Sequence, residues 1–166
     1  MPIAFELNGV AREVDAQRGE PLLYPLRRLG DVSVRYGCGG EQCGACRVLV
    51  DGEARFACTL AAHDADGRSV ETAAGLDTPV RRALIDCNAG QCGYCLPGIV
   101  VAAEALFRRT QAPTEADIRT ALGPHLCRCG AHPRILRALA RSASASAVDS
   151  KLVAFGSAPA HPPAAS

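Results

Sequence analysis

Aromatic residues are scarce in this sequence, and no charge of one sign dominates it. Phe, Trp and Tyr together make up 4% of the 166 residues, and Trp is absent, so the aromatic platforms that stack on single-stranded nucleic acid are lacking. The formal net charge of +1 supplies no strong field that would attract nucleic acid or an anionic membrane. We therefore expect no nucleic-acid partner.

Long apolar segments are also lacking. No run of about eighteen apolar residues occurs, so the sequence predicts no transmembrane segment. The first residues show no basic stretch followed by an apolar one, so no secretory signal is predicted and we expect a cytoplasmic protein. A reducing compartment of that kind keeps thiols free for metal binding or redox chemistry.

Cysteine and glycine are the residues present in unusual number. The chain contains nine Cys and sixteen Gly, and 48% of its residues are hydrophobic, which suffices for a folded core. An odd number of cysteines argues against a framework of disulfides. Metal or redox chemistry is therefore the favoured use of these thiols.

The first half of the chain has the periodicity of strands. Alternation over residues 3–7, the turn signal Asn8-Gly9 and a return strand over 10–14 predict a hairpin. Asp51-Gly52 predicts a second hairpin between residues 47–50 and 54–58, and 69–72 is a further candidate strand. Proline at a first helical turn predicts a helix from Pro21 to Leu29.

The periodicity changes to helical after residue 76. We predict helices over residues 78–86, 97–109, 114–122 and 133–141, the third with a capping box formed by Thr114 and Asp117. The sequence thus predicts an α+β protein in two domains, residues 1–76 and 77–141. Residues 142–166 are rich in Ser, Ala and Pro and are predicted to be a tail.

Four cysteines of the first half have a distinctive spacing. Cys38, Cys43, Cys46 and Cys58 form the pattern C-x4-C-x2-C-x11-C, the spacing of plant-type [2Fe–2S] ferredoxins. Two irons bridged by sulfide each need two thiolates, so one loop must supply three ligands. The glycines of that loop allow positive φ and bring backbone N–H groups close to the sulfurs.

A second set of cysteines lies in the helical half. Cys92 and Cys95 precede one predicted helix and Cys127 and Cys129 precede another, where the N-terminal dipole favours thiolates. Two such helix ends facing each other could hold another four-thiolate cluster. Cys87 repeats the first spacing as Cys87-x4-Cys92-x2-Cys95, but a buried, unliganded thiol is the preferred interpretation.

Other uses of these thiols stay open at this point. Zinc takes four thiolates, although zinc ribbons pair two C-x2-C motifs at shorter separation. The pair Cys92 and Cys95 is also the spacing of a dithiol redox site, without the βαβ pattern that usually accompanies it. Leu96 stands where covalent haem attachment needs His, and no pairs of His suit a Rieske site.

Three motifs in this order resemble those of a known family. Residues 36–46 (YGCGGEQCGAC), 91–98 (QCGYCLPG) and 126–130 (LCRCG) are similar to the iron–sulfur subunit of molybdenum hydroxylases, the xanthine dehydrogenase family, and the resemblance is nearest to nicotinate, isoquinoline and aldehyde oxidoreductases. It implies a β-grasp plant-type ferredoxin domain followed by a four-helix bundle that binds a second [2Fe–2S] cluster.

The resemblance also assigns residues and partners. It implies that Gln91 and Cys129 contact molybdopterin held by a large partner subunit, and that the chain has no catalytic residue of its own. It implies relay of single electrons to an FAD-binding or cytochrome c subunit during oxidation of an N-heteroaromatic or aldehyde substrate. A stand-alone two-cluster ferredoxin and a zinc-binding interaction module are the alternatives. The implied ligands are Cys38, Cys43, Cys46 and Cys58 for one cluster, and Cys92, Cys95, Cys127 and Cys129 for the other.

Overall fold

A five-stranded mixed sheet forms the first half of the protein. The computed structural model describes residues 1–155. The sheet has the order β2-β1-β5-β3-β4, with β1 parallel to β5 and every other neighbouring pair antiparallel. Its strands are β1 (Pro2–Leu7), β2 (Val10–Asp15), β3 (Arg47–Val50), β4 (Glu53–Phe56) and β5 (Ser69–Glu71).

Both predicted hairpins are present, and their turns have the backbone that the sequence predicts. Asn8 and Gly9 have φ of 52° and 81°, and Asp51 and Gly52 have φ of 49° and 81°. Two successive positive φ values characterise the type I′ turn, whose twist matches that of antiparallel strands. The second hairpin ends at Phe56, so Cys58 lies just beyond β4 rather than within it.

The first helix is shorter than predicted. Helix α1 is Leu23–Arg28, whereas the sequence predicts a start at Pro21. Pro21 instead forms an isolated antiparallel bridge with Ala61, and the Leu22 N–H donates to the Leu60 carbonyl at 2.8 Å. These long-range bonds tie residues 21 and 22 to a later segment, so the regular helix begins only at Leu23. The later segment continues into a short 3₁₀ helix, Ala62–Ala65, that the periodicity did not reveal.

Four helices form the second half. They are α2 (Pro79–Asp86), α3 (Leu96–Arg109), α4 (Glu115–Leu122) and α5 (His132–Phe155). Helix α4 begins with the predicted capping box, in which Thr114 accepts from the Asp117 N–H and Asp117 accepts from the Thr114 N–H. Helix α2 packs on α5 and α3, and α4 packs on both α3 and α5, so the four form a bundle.

The last helix continues past its predicted end at Arg141. It reaches Phe155 because the Ser-Ala run that follows contains neither Pro nor Gly and has Ala at alternate positions, a good helix former. Ala143 is buried, so the helix keeps packing beyond residue 141. The tail predicted for residues 142–166 therefore does not begin at residue 142, and its remainder from residue 156 lies outside the described residues.

The two halves are joined through strand β3. Val48 and Val50 pack into the core beneath the sheet, whereas Leu49 belongs to the core of the helices. Because successive side chains of a strand point to opposite faces, β3 is buried on both sides from Val48 to Val50, which explains its run of three apolar residues. The predicted α+β fold, a β-grasp half followed by a helical half, is confirmed; the boundary at residue 76 stays a prediction. Among residues 1–155, no helix combines the length and apolar character needed to cross a bilayer.

Candidate metal centres

The first four cysteines converge at one end of the β3–β4 hairpin. Cys46 precedes β3 and Cys58 follows β4, and the Ala57 N–H donates to the Cys46 carbonyl at 3.2 Å, which extends the pairing of the two strands. The thiols of Cys46 and Cys58 are within hydrogen-bonding contact. The thiols of Cys38 and Cys43, on the preceding loop, make a second such contact. The structure thus brings these cysteines together as two pairs.

Backbone N–H groups of the loop point at these sulfurs. Gln42 and Gly40 donate to Cys38 Sγ at 3.1 and 3.4 Å, and Cys38 donates to Cys43 Sγ at 3.4 Å. The Gly40 N–H, opposed by some desolvation and aided by Gln42 and Cys43, lowers the pKa of the Cys38 thiol to about 7. A Cβ at Gly37 would lie 2.5 Å from Cys43 Sγ, so the loop closes around the sulfur only with glycine there.

The inner pair lies in a different environment. Cys46 and Cys58 are buried. Burial, together with the neighbouring thiol of Cys58, raises the pKa of Cys46 to about 12. A buried thiolate needs a compensating positive charge, which a metal ion supplies while keeping the thiol deprotonated.

The helical half assembles the other four cysteines. Cys92 lies beside Cys129, and Cys95 lies beside Cys127, each within hydrogen-bonding contact of its partner. Cys95 is the residue preceding α3, and Cys127 and Cys129 precede α5. The two segments that lead into α3 and α5 therefore meet, which is the arrangement that a second four-thiolate site would require.

The sulfurs at these helix ends are also held by backbone donors. The Ala131 N–H donates to Cys127 Sγ at 3.3 Å. The pKa of Cys127 is lowered although burial opposes the shift, because the N–H of Ala131 and the thiol of Cys95 favour the thiolate. The N–H of Tyr94 and the thiol of Cys129 lower the pKa of Cys92. Burial raises the pKa of Cys95 to about 12.

Pairs of thiols suit a binuclear cluster. Within residues 1–155, no three His, Cys, Asp or Glu side chains surround a single ion position; the eight thiols make four contacting pairs. Each iron of a [2Fe–2S] cluster takes two thiolates, and N–H groups aimed at the ligand sulfurs suit its negative charge. The donor set, the N–H bonds and the cradle at Gly37 fit one such cluster in each quartet.

The two quartets meet across a close backbone contact. A Cβ built on Gly98, in the first turn of α3, would lie 2.0 Å from the carbonyl oxygen of Gly44 in the first loop. Gly44 has φ of +71°, and a Cβ there would lie 2.3 Å from the ring of His125. The loop of one quartet and the helix of the other can touch only because both positions are glycine.

Hydrogen bonds cross the same junction. The Leu126 N–H donates to the Cys43 carbonyl at 3.1 Å, and the Tyr94 hydroxyl donates to the Tyr36 carbonyl. Cys43 belongs to the first quartet and Leu126 directly precedes Cys127 of the second. One hydrogen bond therefore connects the backbones of the two quartets.

His125 is a residue that the sequence interpretation missed. It is 2% exposed, and its Nε2 lies 3.2 Å from the Gly98 carbonyl. Burial, and next the nearby charge of Arg47, lower the pKa of His125 to about 4. A neutral ring that donates from Nε2 fills the space between the two halves. The sequence feature that could have identified His125 is its position directly before the motif at residues 126–130.

Gln91 and Cys129 are accessible from solvent, as contact with another chain would require. Gln91 is exposed and Cys129 is half-buried, and Cys129 contacts Cys92, the neighbour of Gln91. Gln91 also lines an open cavity of about 440 Å³ beside α2 and the start of α3, together with Arg81 and Ile85.

Cys87 is not part of either quartet. It ends α2, it is half-buried, and it packs against the core of the helices. Its Sγ lies 4.0 Å from Nη1 of Arg141. Cys87 is thus less buried than the sequence interpretation expects, and its assignment as an unliganded thiol stays a prediction.

Two domain families match the chain. The "2Fe-2S iron-sulfur cluster binding domain" matches residues 5–74, and the "[2Fe-2S] binding domain" matches residues 68–140. A nicotinate dehydrogenase subunit of Pseudomonas putida is 42% identical over 149 residues, covering 85% of this chain and 94% of that protein. The chain belongs to the family of small iron–sulfur subunits of nicotinate, xanthine, isoquinoline and aldehyde oxidoreductases.

Other members of the family agree with this assignment. The alpha subunit of isoquinoline 1-oxidoreductase from Brevundimonas diminuta is 38% identical, covering 87% of this chain and 99% of that protein. The quinoline 2-oxidoreductase structure of Pseudomonas putida 86 superposes with a TM-score of 0.82 at 28% identity, covering 89% of this chain and 96% of its own. The aldehyde oxidoreductase structure of Desulfovibrio desulfuricans gives the same TM-score at 33% identity. The superposition covers 89% of this chain and 17% of that longer protein.

Proposed function

We propose that this chain is the electron-transfer subunit of a molybdenum hydroxylase and carries two [2Fe–2S] clusters. The observation that carries the proposal is the arrangement of eight thiols in two quartets whose backbones touch at Gly44 and Gly98. Each cluster, when bound, accepts and releases one electron at a time. The chain is thus part of an oxidoreductase without holding the substrate.

The chain's own residues have three tasks in this function. The ligands of the N-terminal cluster are Cys38, Cys43, Cys46 and Cys58, and those of the helical cluster are Cys92, Cys95, Cys127 and Cys129. The N–H groups at Cys38 and Cys127 stabilise the added negative charge of the reduced state. The contact of Gly98 with Gly44 and the bond from Leu126 to Cys43 keep the clusters close in one rigid junction.

The proposed partner is a large subunit that holds molybdopterin. In the complete reaction, a substrate C–H and water become C–OH, and two electrons and two protons are released there. The electrons then pass singly through this chain to an FAD-binding or cytochrome c subunit. Gln91 is exposed, and Cys129 is half-buried and contacts Cys92, the residue after Gln91, which supports a pterin contact at this edge of the helical quartet.

The substrate class proposed for the complex is an N-heteroaromatic ring or an aldehyde. Relatives named for nicotinate, isoquinoline and aldehyde oxidation support this range. A cytoplasmic location is proposed as well, since a reducing compartment protects the nine free thiols before the clusters are inserted.

Native purification tests the complex. The full-length chain, tagged in its own cells, is expected to co-purify in a fixed ratio with a much larger, molybdenum-containing protein. The preparation should be coloured and hold about four Fe and four acid-labile sulfides per small chain, because each cluster contains two of each. Iron and sulfide in a chain that purifies alone would support a free ferredoxin instead. A colourless protein containing zinc would overturn both cluster assignments.

Single-cysteine variants test the ligands. Cys43→Ser and Cys92→Ser are each expected to remove one of the two EPR signals of the reduced protein and to leave the other. Loss of the same signal in both variants would contradict the division into two quartets.

A further inference from the structure

A half-buried cation adjoins the N-terminal quartet in sequence. Arg47 follows Cys46 and is the first residue of β3. Its guanidinium stacks over Phe56, its partner across the hairpin, at 3.7 Å from the ring centre, and Nη1 donates to the Ala54 carbonyl at 2.8 Å. The side chain is thereby fixed to the hairpin that joins Cys46 to Cys58.

No carboxylate of the described residues forms an ion pair with this cation. Each ion pair found among residues 1–155 joins other groups, and Nε of Arg47 is buried without a hydrogen-bond partner. Glu41 is exposed and has only a weak electrostatic effect on Arg47. An arginine stays charged even when it is partly desolvated, so a whole positive charge remains on the hairpin between Cys46 and Cys58. A thiolate at Cys46 in turn favours the charged guanidinium.

We propose that Arg47 raises the reduction potential of the N-terminal cluster; this inference rests on the function proposed above. Reduction adds one electron to a cluster and changes no bond or proton, so the reduced state is more negative by one charge. A fixed cation in a medium of low dielectric stabilises that state more than the oxidised one.

The helical quartet has cations of its own. Arg128 lies between Cys127 and Cys129 but is exposed, so water and salt screen its charge. Arg35 is half-buried and lies 5.7 Å from the centre of the Tyr94 ring, between Cys92 and Cys95. Neither cation belongs to the hairpin that joins Cys46 to Cys58, so we expect removal of Arg47 to act mainly on the N-terminal cluster.

A redox titration of the full-length holoprotein, followed by EPR, tests the proposal. The signal lost in Cys43→Ser identifies the N-terminal cluster. In Arg47→Gln, its ratio of reduced to oxidised cluster at a fixed potential should fall about tenfold, which corresponds to about 59 mV for one electron. The signal of the helical cluster should move by much less.

Two variants serve as matched controls. Arg55→Gln removes the same charge from a more accessible position on the same hairpin and should leave both potentials unchanged. Arg47→Lys keeps the charge and should retain most of the potential. The difference between wild type and Arg47→Gln should largely persist from low to high salt, because salt screens a half-buried charge less than an exposed one.

The outcomes separate this inference from the function on which it rests. Absence of both clusters in wild type would overturn the proposed function itself. Two clusters whose potentials ignore Arg47→Gln, or respond equally to Arg55→Gln, would overturn the inference alone. If Arg47→Gln fails to take up iron, Phe56→Leu provides the second test. It frees the guanidinium towards solvent and should lower the same potential by less; an unchanged potential refutes the proposal.

Discussion

Gly98→Ala tests the junction between the two quartets. The new Cβ would lie 2.0 Å from the Gly44 carbonyl oxygen, whereas real Cβ contacts are essentially never below 3.0 Å. Either the loop that contains Gly44 or helix α3 must therefore move by about 1 Å. Overpacking of this kind costs about 1–3 kcal/mol, and the upper end applies because a backbone carbonyl cannot rotate away. The better helix propensity of Ala returns at most about 1 kcal/mol.

The expected net loss of unfolding free energy is about 2 kcal/mol, or about 4–8 °C in Tm for a protein of this size. Thermal unfolding of wild type and variant, both with full iron content, measures it. Gly40→Ala is the control, because its Cβ would meet no atom within 4 Å and its φ is not positive. A Gly98→Ala protein as stable as wild type would show that the two halves are not in close contact.

Three further predictions concern single side chains. Thr114→Ala removes the capping box of α4 and should lower Tm by about 2–4 °C; an unchanged Tm would contradict the cap. The ion pair with Arg108 lowers the pKa of Glu71, so its stabilisation exists above the ordinary carboxyl pKa and is lost as pH falls through the lowered one. Denaturant unfolding should therefore show Glu71→Gln less stable at pH 7, by about 0.5–1 kcal/mol, with the gap closing as the pH falls below the ordinary carboxyl pKa of about 4.3. Cys87→Ala should leave both EPR signals intact, and loss of either would overturn the ligand assignment.

Local signals predicted much of the fold. Asn8-Gly9 and Asp51-Gly52 indicate turns because few other residue pairs adopt two positive φ values, and the structure has those turns. Thr114 and Asp117 predicted a helix start because their mutual bonds depend on spacing alone. Such features need only neighbours in sequence, so sequence reasoning reaches them.

Long-range bonds decided the features that were missed. Pro21 carries a helix-start signal, but it pairs with Ala61 in an isolated bridge, and no local pattern contains that partner. Helix α5 continues beyond Arg141 because Ala143 packs against the bundle. A Ser-Ala run is ambiguous until tertiary contacts are known.

For the metal centres too, local spacing was informative and long-range contacts could not be predicted. Spacing predicted which cysteines share a loop, and the structure pairs Cys46 with Cys58 and Cys95 with Cys127. The spacing of the cysteines does not indicate how the two quartets contact each other. The roles of His125 and Arg47 depend on the approach of the helical half to the first loop, which only the folded chain shows.

Quantitative EPR of the dithionite-reduced, full-length protein tests the central claim most directly. The account predicts two distinct signals, each integrating to about one spin per chain, because each reduced [2Fe–2S] cluster holds one added electron. A single signal, or an iron-replete protein with one spin per chain, would contradict the assignment of two four-cysteine clusters.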